Sequence, residues 1–237
     1  MDIPNAKDDL NKQVLGLPAK RTRPVLRDTA YRKFMEHLMS GQIRPGLLVS
    51  QRELCESTGA SIGAMREALK RLEAENTITL IPQRGVMVRE PSEVEINNVY
   101  ETRKIVEVHA TRLYAESGDL QIMAEIKELT LQNIDRRAET RTEIAQLLKD
   151  RIKVDDLLHE TLIKSLNNQT LEEIFDKLRI QIQVTRLGVL PRFMDSRPAL
   201  REHIEIIEAI DNRATDQAAQ SMLDHLEAGR RRAVGLD

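Results

Sequence analysis

The sequence predicts a mainly α chain in two parts: a small helical unit closed by a β-hairpin, then an all-α bundle of six helices. Three observations carry that reading. Aromatic residues are 3% of the 237 residues, Trp is absent, charged residues reach 31% and glycines number 10, the profile of a charge-coated helical protein. Between Ser50 and Val88, two short helical patterns precede two β-rich runs around a turn. After Pro91 the texture changes, with apolar residues recurring at helical spacing and almost no strand signal. The length suffices for two domains.

The first helix is predicted over Asp28 to Ser40, with Tyr31, Phe34, Met35 and Leu38 on one face and Gly41 closing it. Arg44-Pro45-Gly46 reads as a turn, and Leu47-Leu48-Val49 as the lead into Ser50. Ser50 and Glu53 form an S-x-x-E capping box for a helix that stops near Thr58-Gly59. Ser61 caps the next helix, whose apolar stripe is Met65, Leu69 and Leu72, while Arg66, Lys70 and Arg71 lie off it. Ile78 to Ile81, the turn Pro82-Gln83-Arg84-Gly85 and Val86-Met87-Val88 read as a hairpin. Helix, glycine turn, helix and two-stranded wing make a winged helix-turn-helix over residues 26–90. The blander reading is a small α+β subdomain packed on something else.

Charge is divided in the way a DNA reader needs. Residues 1–90 hold 15 Lys and Arg against 11 Asp and Glu, and residues 91–237 hold 21 against 27, within a net charge of −2. A basic front and an acidic back suit contact with phosphate at one end only. Residues 1–25, with Lys20, Arg21 and Arg23, read as a flexible N-terminal arm, either tracking the DNA backbone or simply solvated. No stretch is apolar enough for a membrane span or a secretion signal, so no membrane partner is expected. Cys55 is alone, which excludes an internal disulfide and points to the cytoplasm; inside a helix it reads as a small core residue.

Arg89-Glu90-Pro91 reads as a linker, and Ser92 with Glu95 as a second capping box. Residues 91–237 then form the second domain, with helices predicted near 93–117, 119–138, 142–166, 169–189, 196–212 and 214–233. Histidines are its informative residues. Asp155 and His159 are four apart and share a helix face, His203 opens the fifth bundle helix, and His225 sits midway along the sixth. One carboxylate and three imidazoles suit Zn²⁺, Ni²⁺ or Mn²⁺ with positions left open, although spacing alone also fits unconnected histidines. Asp156 is about 100° around the helix from Asp155 and is the poorer ligand. His109 and His37 read as structural.

Residues 28–88 resemble the DNA-binding domain of the GntR family of bacterial transcription regulators. The shared pattern is Gly41-Gln42-Ile43-Arg44-Pro45-Gly46, Arg52-Glu53-Leu54, Met65 to Glu75, and Pro82 to Val88. The resemblance implies DNA contacts from Arg52, Ser61, Arg66, Lys70, Arg71, Gln83, Arg84 and Gly85. Where the family often has S-R-T-P, this chain has Ser61-Ile62-Gly63-Ala64, so the activity class is implied and the operator sequence is not. The bundle resembles the FCD effector domain of the FadR branch, in its six-helix, VanR-like form. Its motifs are Asp155-Asp156-Leu157-Leu158-His159, Glu202 to Ile210, and Met222-Leu223-Asp224-His225-Leu226. That resemblance implies a divalent metal, most readily zinc, on Asp155, His159, His203 and His225.

It also implies an effector site. Tyr100, Arg103 and Glu107 recur along one face of the first bundle helix, and Arg103 matches an arginine that often faces the cavity in FCD domains. A guanidinium there would hold a carboxylate bidentately, the alternative being an intrahelical Arg103–Glu107 pair on a wet surface. The function expected is a ligand-responsive regulator, by default a repressor, binding a palindromic operator as a homodimer and released by a small carboxylate. A metal sensor with the ion as signal is the alternative. A metal-dependent hydrolase is disfavoured, since no second carboxylate or nucleophile is spaced as a general base and a hydrolase has no use for a DNA reader.

Overall fold

The computed structural model describes residues 26–39, 42–188 and 196–236. The predicted N-terminal arm, Ser40 with Gly41, and the stretch between the predicted helices 169–189 and 196–212 lie outside them. The first domain contains α1 (Leu26–Met39), β1 (Leu48–Val49), α2 (Gln51–Thr58), α3 (Ile62–Ala74), β2 (Ile78–Ile81) and β3 (Gly85–Val88). The bundle contains α4 (Glu93–Ser117), α5 (Leu120–Ile134), α6 (Arg141–Lys164), α7 (Gln169–Gly188), α8 (Arg197–Asp211) and α9 (Thr215–Val234). No helix among the described residues is long and apolar enough to cross a membrane.

Local chemistry sets the small domain. Ser50 accepts from the Glu53 amide while Glu53 returns to the Ser50 amide at 2.8 Å, the reciprocal capping box. Gly59 then ends α2 in the left-handed region at φ 65°. Ser61 caps α3 by accepting from Ala64 N–H. Phe34, Leu38, Leu54, Met65, Leu69, Leu72, Ile78, Val86 and Val88 close one core, joined by Val184 from α7 of the bundle. That apolar bridge fastens the two domains together, beside Arg89, which donates to Glu95 at 2.8 Å and to the Asn76 carbonyl. Glu95, held by the Ser92 backbone amide and then by Arg89, has its carboxyl lowered to about 2.

The sheet differs from the expected two-stranded wing. It has three strands in the order β1-β3-β2, with Leu48 opposite Met87 and Val49 opposite Val86. A two-residue strand shows no alternation to read, and only its partner makes it visible. The register explains Gly85: at φ 134° it lies so close to the Val49 carbonyl that a side chain would collide with that backbone.

In the bundle, α4 packs chiefly on α9, with α8 bridging α5, α6 and α9. Gly229 lets α9 approach α4, because a Cβ there would stand 3.1 Å from the Tyr100 ring. One helix boundary needs correcting. α5 ends at Ile134, four residues before the expected 138, because the buried Arg151 of α6 donates to the carbonyls of Asn133, Ile134 and Arg136. A distant guanidinium thus serves the helix end in place of further helical turns. Arg151→Ala should therefore cost about 2–4 kcal/mol, since buried carbonyls would lose their donors; chemical denaturation would measure it, and a loss under about 0.5 kcal/mol would contradict the capping role.

Candidate metal centre and DNA-reading surface

The bundle helices bring Asp155, His159, His203 and His225 together, each offering one ligand atom, all within 4.8 Å of one another. Asp155 and His159 come from successive turns of α6, His203 from the second turn of α8, and His225 from the middle of α9. All four are buried, from 0% exposed for His203 to 7% for Asp155. His203 Nε2 lies 3.3 Å from His225 Nε2 and 3.5 Å from Asp155 Oδ1. The three rings meet with centroids 4.5–5.2 Å apart.

This arrangement fits a metal on its own terms. Tetrahedral ligation at 2.0–2.1 Å places neighbouring donors about 3.3–3.4 Å apart, close to the two short separations here. His159 Nε2 is buried with no hydrogen-bond partner, a costly state for an imidazole nitrogen unless something accepts its lone pair. Burial holds the His225 pKa below its ordinary value despite the opposing Glu202, which favours the neutral, ligating form. One carboxylate and three imidazoles, sealed from solvent, match a first-row divalent ion better than Ca²⁺ or Mg²⁺.

A second layer surrounds these four. His159 Nδ1 is 2.5 Å from Glu107 Oε2, and Glu107 takes Arg103 through Nε at 2.5 Å and Nη2 at 3.3 Å. His225 Nδ1 is 2.7 Å from Glu202 Oε2, and Arg232 grips Glu202 at 2.7 and 2.8 Å. Burial pushes both glutamates up, but charged and hydrogen-bonded neighbours more than reverse it: Arg103 and His159 hold Glu107 at about 2, and His225 with Arg232 does the same for Glu202. The Arg103–Glu107 pair is thus formed, yet it is buried and not on the wet surface expected of such a pair. Glu107 already occupies one bidentate edge of the guanidinium, and Nη1 takes no part in these contacts. Tyr100 is buried beside it, its ring 5.4 Å from the guanidinium. Asp156 receives Gln183 at 3.2 Å, outside the cluster. Sequence reasoning missed Glu202 as a site residue, although it directly precedes His203.

On the first domain, Arg52, Ser61, Arg66, Lys70, Gln83 and Arg84 are all exposed. Arg52 pairs with Glu56 and Lys70 with Glu67, each at 2.9 Å, and Gln83 holds φ 63° in the wing turn. Arg71 sits apart from them. About 140° around α3 from Arg66, it stacks 4.0 Å over the Tyr31 ring and pairs with Glu75 at 2.8 Å, facing α1. Ile62, in the first turn of α3, is 62% exposed.

Comparison with known proteins agrees with this architecture. The FCD domain family matches residues 98–228, and the bacterial regulatory proteins of the gntR family match residues 26–88. The HTH-type transcriptional repressor RspR of Escherichia coli (strain K12) is 24% identical over 210 residues, 87% of each chain. The gluconate operon transcriptional repressor of Bacillus licheniformis is 25% identical over 199 residues, covering 78% of this chain and 75% of its own. Among solved structures, E. coli McbR/YncC shares the fold with a TM-score of 0.73 at 19% identity, over 90% of this chain and 98% of that one. A winged helix-turn-helix carrying the gntR pattern, fastened to an FCD bundle, places this chain in the GntR family of transcriptional regulators.

Proposed function

We propose that the chain is a repressor that binds a palindromic operator as a homodimer and is released by a small carboxylate received at a divalent metal. The carrying observation is the buried Asp155, His159, His203 and His225 cluster in the domain joined to the DNA reader. Zinc is the favoured ion, with nickel and manganese compatible with the same donors. The metal would supply a Lewis-acidic point that takes one effector oxygen. Arg103 would receive the effector's negative charge through Nη1, with Tyr100 shaping the wall beside it. A relative named for the gluconate operon fits an effector of this chemistry. Six bundle helices among the described residues favour the VanR-like form, and a DNA target places the protein in the cytoplasm. A sensor in which the ion is itself the signal is the second reading, favoured by the nearly complete burial of the ligands.

On the DNA side, Arg66 and Lys70 project from the same side of α3, with Arg52 on α2 and Arg84 at the wing tip. Arg71, tied to Tyr31 and Glu75, contributes more through α1 than through DNA. Ile62 stands where family members often carry an arginine, and an exposed apolar side chain there suits a thymine methyl rather than a guanine edge. Arg66→Ala should weaken binding to a labelled promoter fragment at least tenfold at fixed salt with the fold intact, about the 1–3 kcal/mol of a base-edge contact. Unchanged fluorescence anisotropy would remove Arg66 from the interface. The same titration tests the regulatory reading. Release by a carboxylate at constant metal supports the effector; release by chelation alone, with carboxylates inert, supports the sensor.

A further inference from the structure

Two of the three clustered histidines have the ring nitrogen away from the cluster held by a glutamate, and each glutamate is held by an arginine. On α4 and α6 the chain of contacts is Arg103, Glu107, His159; on α8 and α9 it is Arg232, Glu202, His225. A carboxylate gripped by a guanidinium accepts hydrogen bonds and donates none. A neutral imidazole 2.5 or 2.7 Å from such an oxygen places its proton on Nδ1, and the 3.4 Å approach of Arg103 Nη2 to His159 Nδ1 is too long to compete with the 2.5 Å contact to Glu107. The lone pair then falls on Nε2, the His159 atom that is buried without a partner and the His225 atom 3.3 Å from His203.

We propose that Glu107 and Glu202 are positioning residues of this centre: each locks its histidine in the Nδ1–H tautomer and presents the Nε2 lone pair to the ion. The proposal rests on the metal-centre reading above. The arginines have a definite part: sealed Glu107 keeps its charge only beside a compensating cation, and Arg232 orients the more open Glu202. Such outer carboxylates fix ring orientation and raise ligand basicity, and their loss commonly weakens metal binding by roughly 10–100-fold. The two locks differ in setting. Glu107 is sealed, whereas the Glu202 side chain is 23% exposed, so Glu202 better tolerates exchange.

The test uses the full chain in three forms, wild type, Glu107→Gln and Glu202→Gln. Long-range ¹H–¹⁵N spectra of metal-free protein report the tautomer of each histidine, and competition against a chromophoric chelator reports Zn²⁺ affinity. In the wild type, His159 and His225 should both show Nδ1–H. Glu107→Gln should move only His159 toward a mixed tautomer and Glu202→Gln only His225, with Zn²⁺ affinity falling roughly 10–100-fold in each. Wild-type tautomers and affinity in both variants would overturn the proposal, as would Nε2–H at His159 and His225 in the wild type. If Glu107→Gln does not fold, Glu202→Gln carries the same decision at the more open lock. A wild type that takes up no Zn²⁺ sinks the metal-centre reading, and the spectra then decide the lock by themselves.

Discussion

His203→Ala is expected to leave purified protein with little of the divalent metal that the wild type should carry at close to one ion per chain. His203 is the central member of the cluster, with Nε2 within 3.3 Å of His225 and 3.5 Å of Asp155. Removing it deletes one of four ligands and opens a void at a fully buried position. Structural zinc sites bind with an apparent 10–16 kcal/mol, so the loss of one ligand should cost several of these, about a hundredfold or more in affinity. His225→Ala should behave alike. His109→Ala, at an exposed position on α4, should keep its metal and serves as the control. Elemental analysis of protein never exposed to chelator gives the answer. Equal metal in His203→Ala and wild type would remove the cluster from consideration, and wild type with none would remove the ion.

What could be read from the sequence depended on how local each feature is. The capping boxes at Ser50 and Ser92 are three-residue patterns and form as read. The apolar faces of α1 and α3 are periodic, and Phe34, Leu38, Met65, Leu69 and Leu72 fill the first core. Asp155 and His159 announce a shared face by their spacing, whereas their convergence with His203 and His225, 44 to 70 positions further on, was one of two readings that spacing left open until the resemblance favoured it. The strand β1 was illegible because two residues carry no alternation, and it exists through its pairing with β3. The end of α5 was misplaced because its determinant, Arg151, is a residue of another helix. Thr140 with Glu143 makes a third capping box whose T-x-x-E signal lies in the gap left between the predicted helices 119–138 and 142–166. Glu202 was hidden for a different reason: a glutamate on a charged helix looks solvated until the fold sets it against His225 and Arg232.

The same limit applies to Arg103, and its replacement gives the second large effect expected of this protein. As an effector anchor alone, Arg103 could be exchanged for alanine with the fold and operator binding unchanged and only the response lost. Its surroundings dictate otherwise. Arg103 and Glu107 are 2% and 0% exposed, and the guanidinium is the main charge holding Glu107 ionised against burial. Deleting one member of a buried pair strands the other, at a cost of about 3–5 kcal/mol, a large fraction of the stability of an ordinary domain. Arg103→Ala should therefore lower the denaturation midpoint sharply before any question of effector arises. Arg103→Met combined with Glu107→Leu removes both charges at similar volume, so it should recover part of that stability, the buried His159 Nδ1–H being left without its acceptor. The double variant should nonetheless bind Zn²⁺ more weakly, because His159 has lost the carboxylate that orients it. A single Arg103→Ala variant as stable as wild type would show that Glu107 draws its charge balance from elsewhere, and Arg103 would then be available to an effector alone. Recovery of stability without recovery of metal affinity would separate the two duties of this pair: holding α4 to α6, and holding His159 ready for the ion.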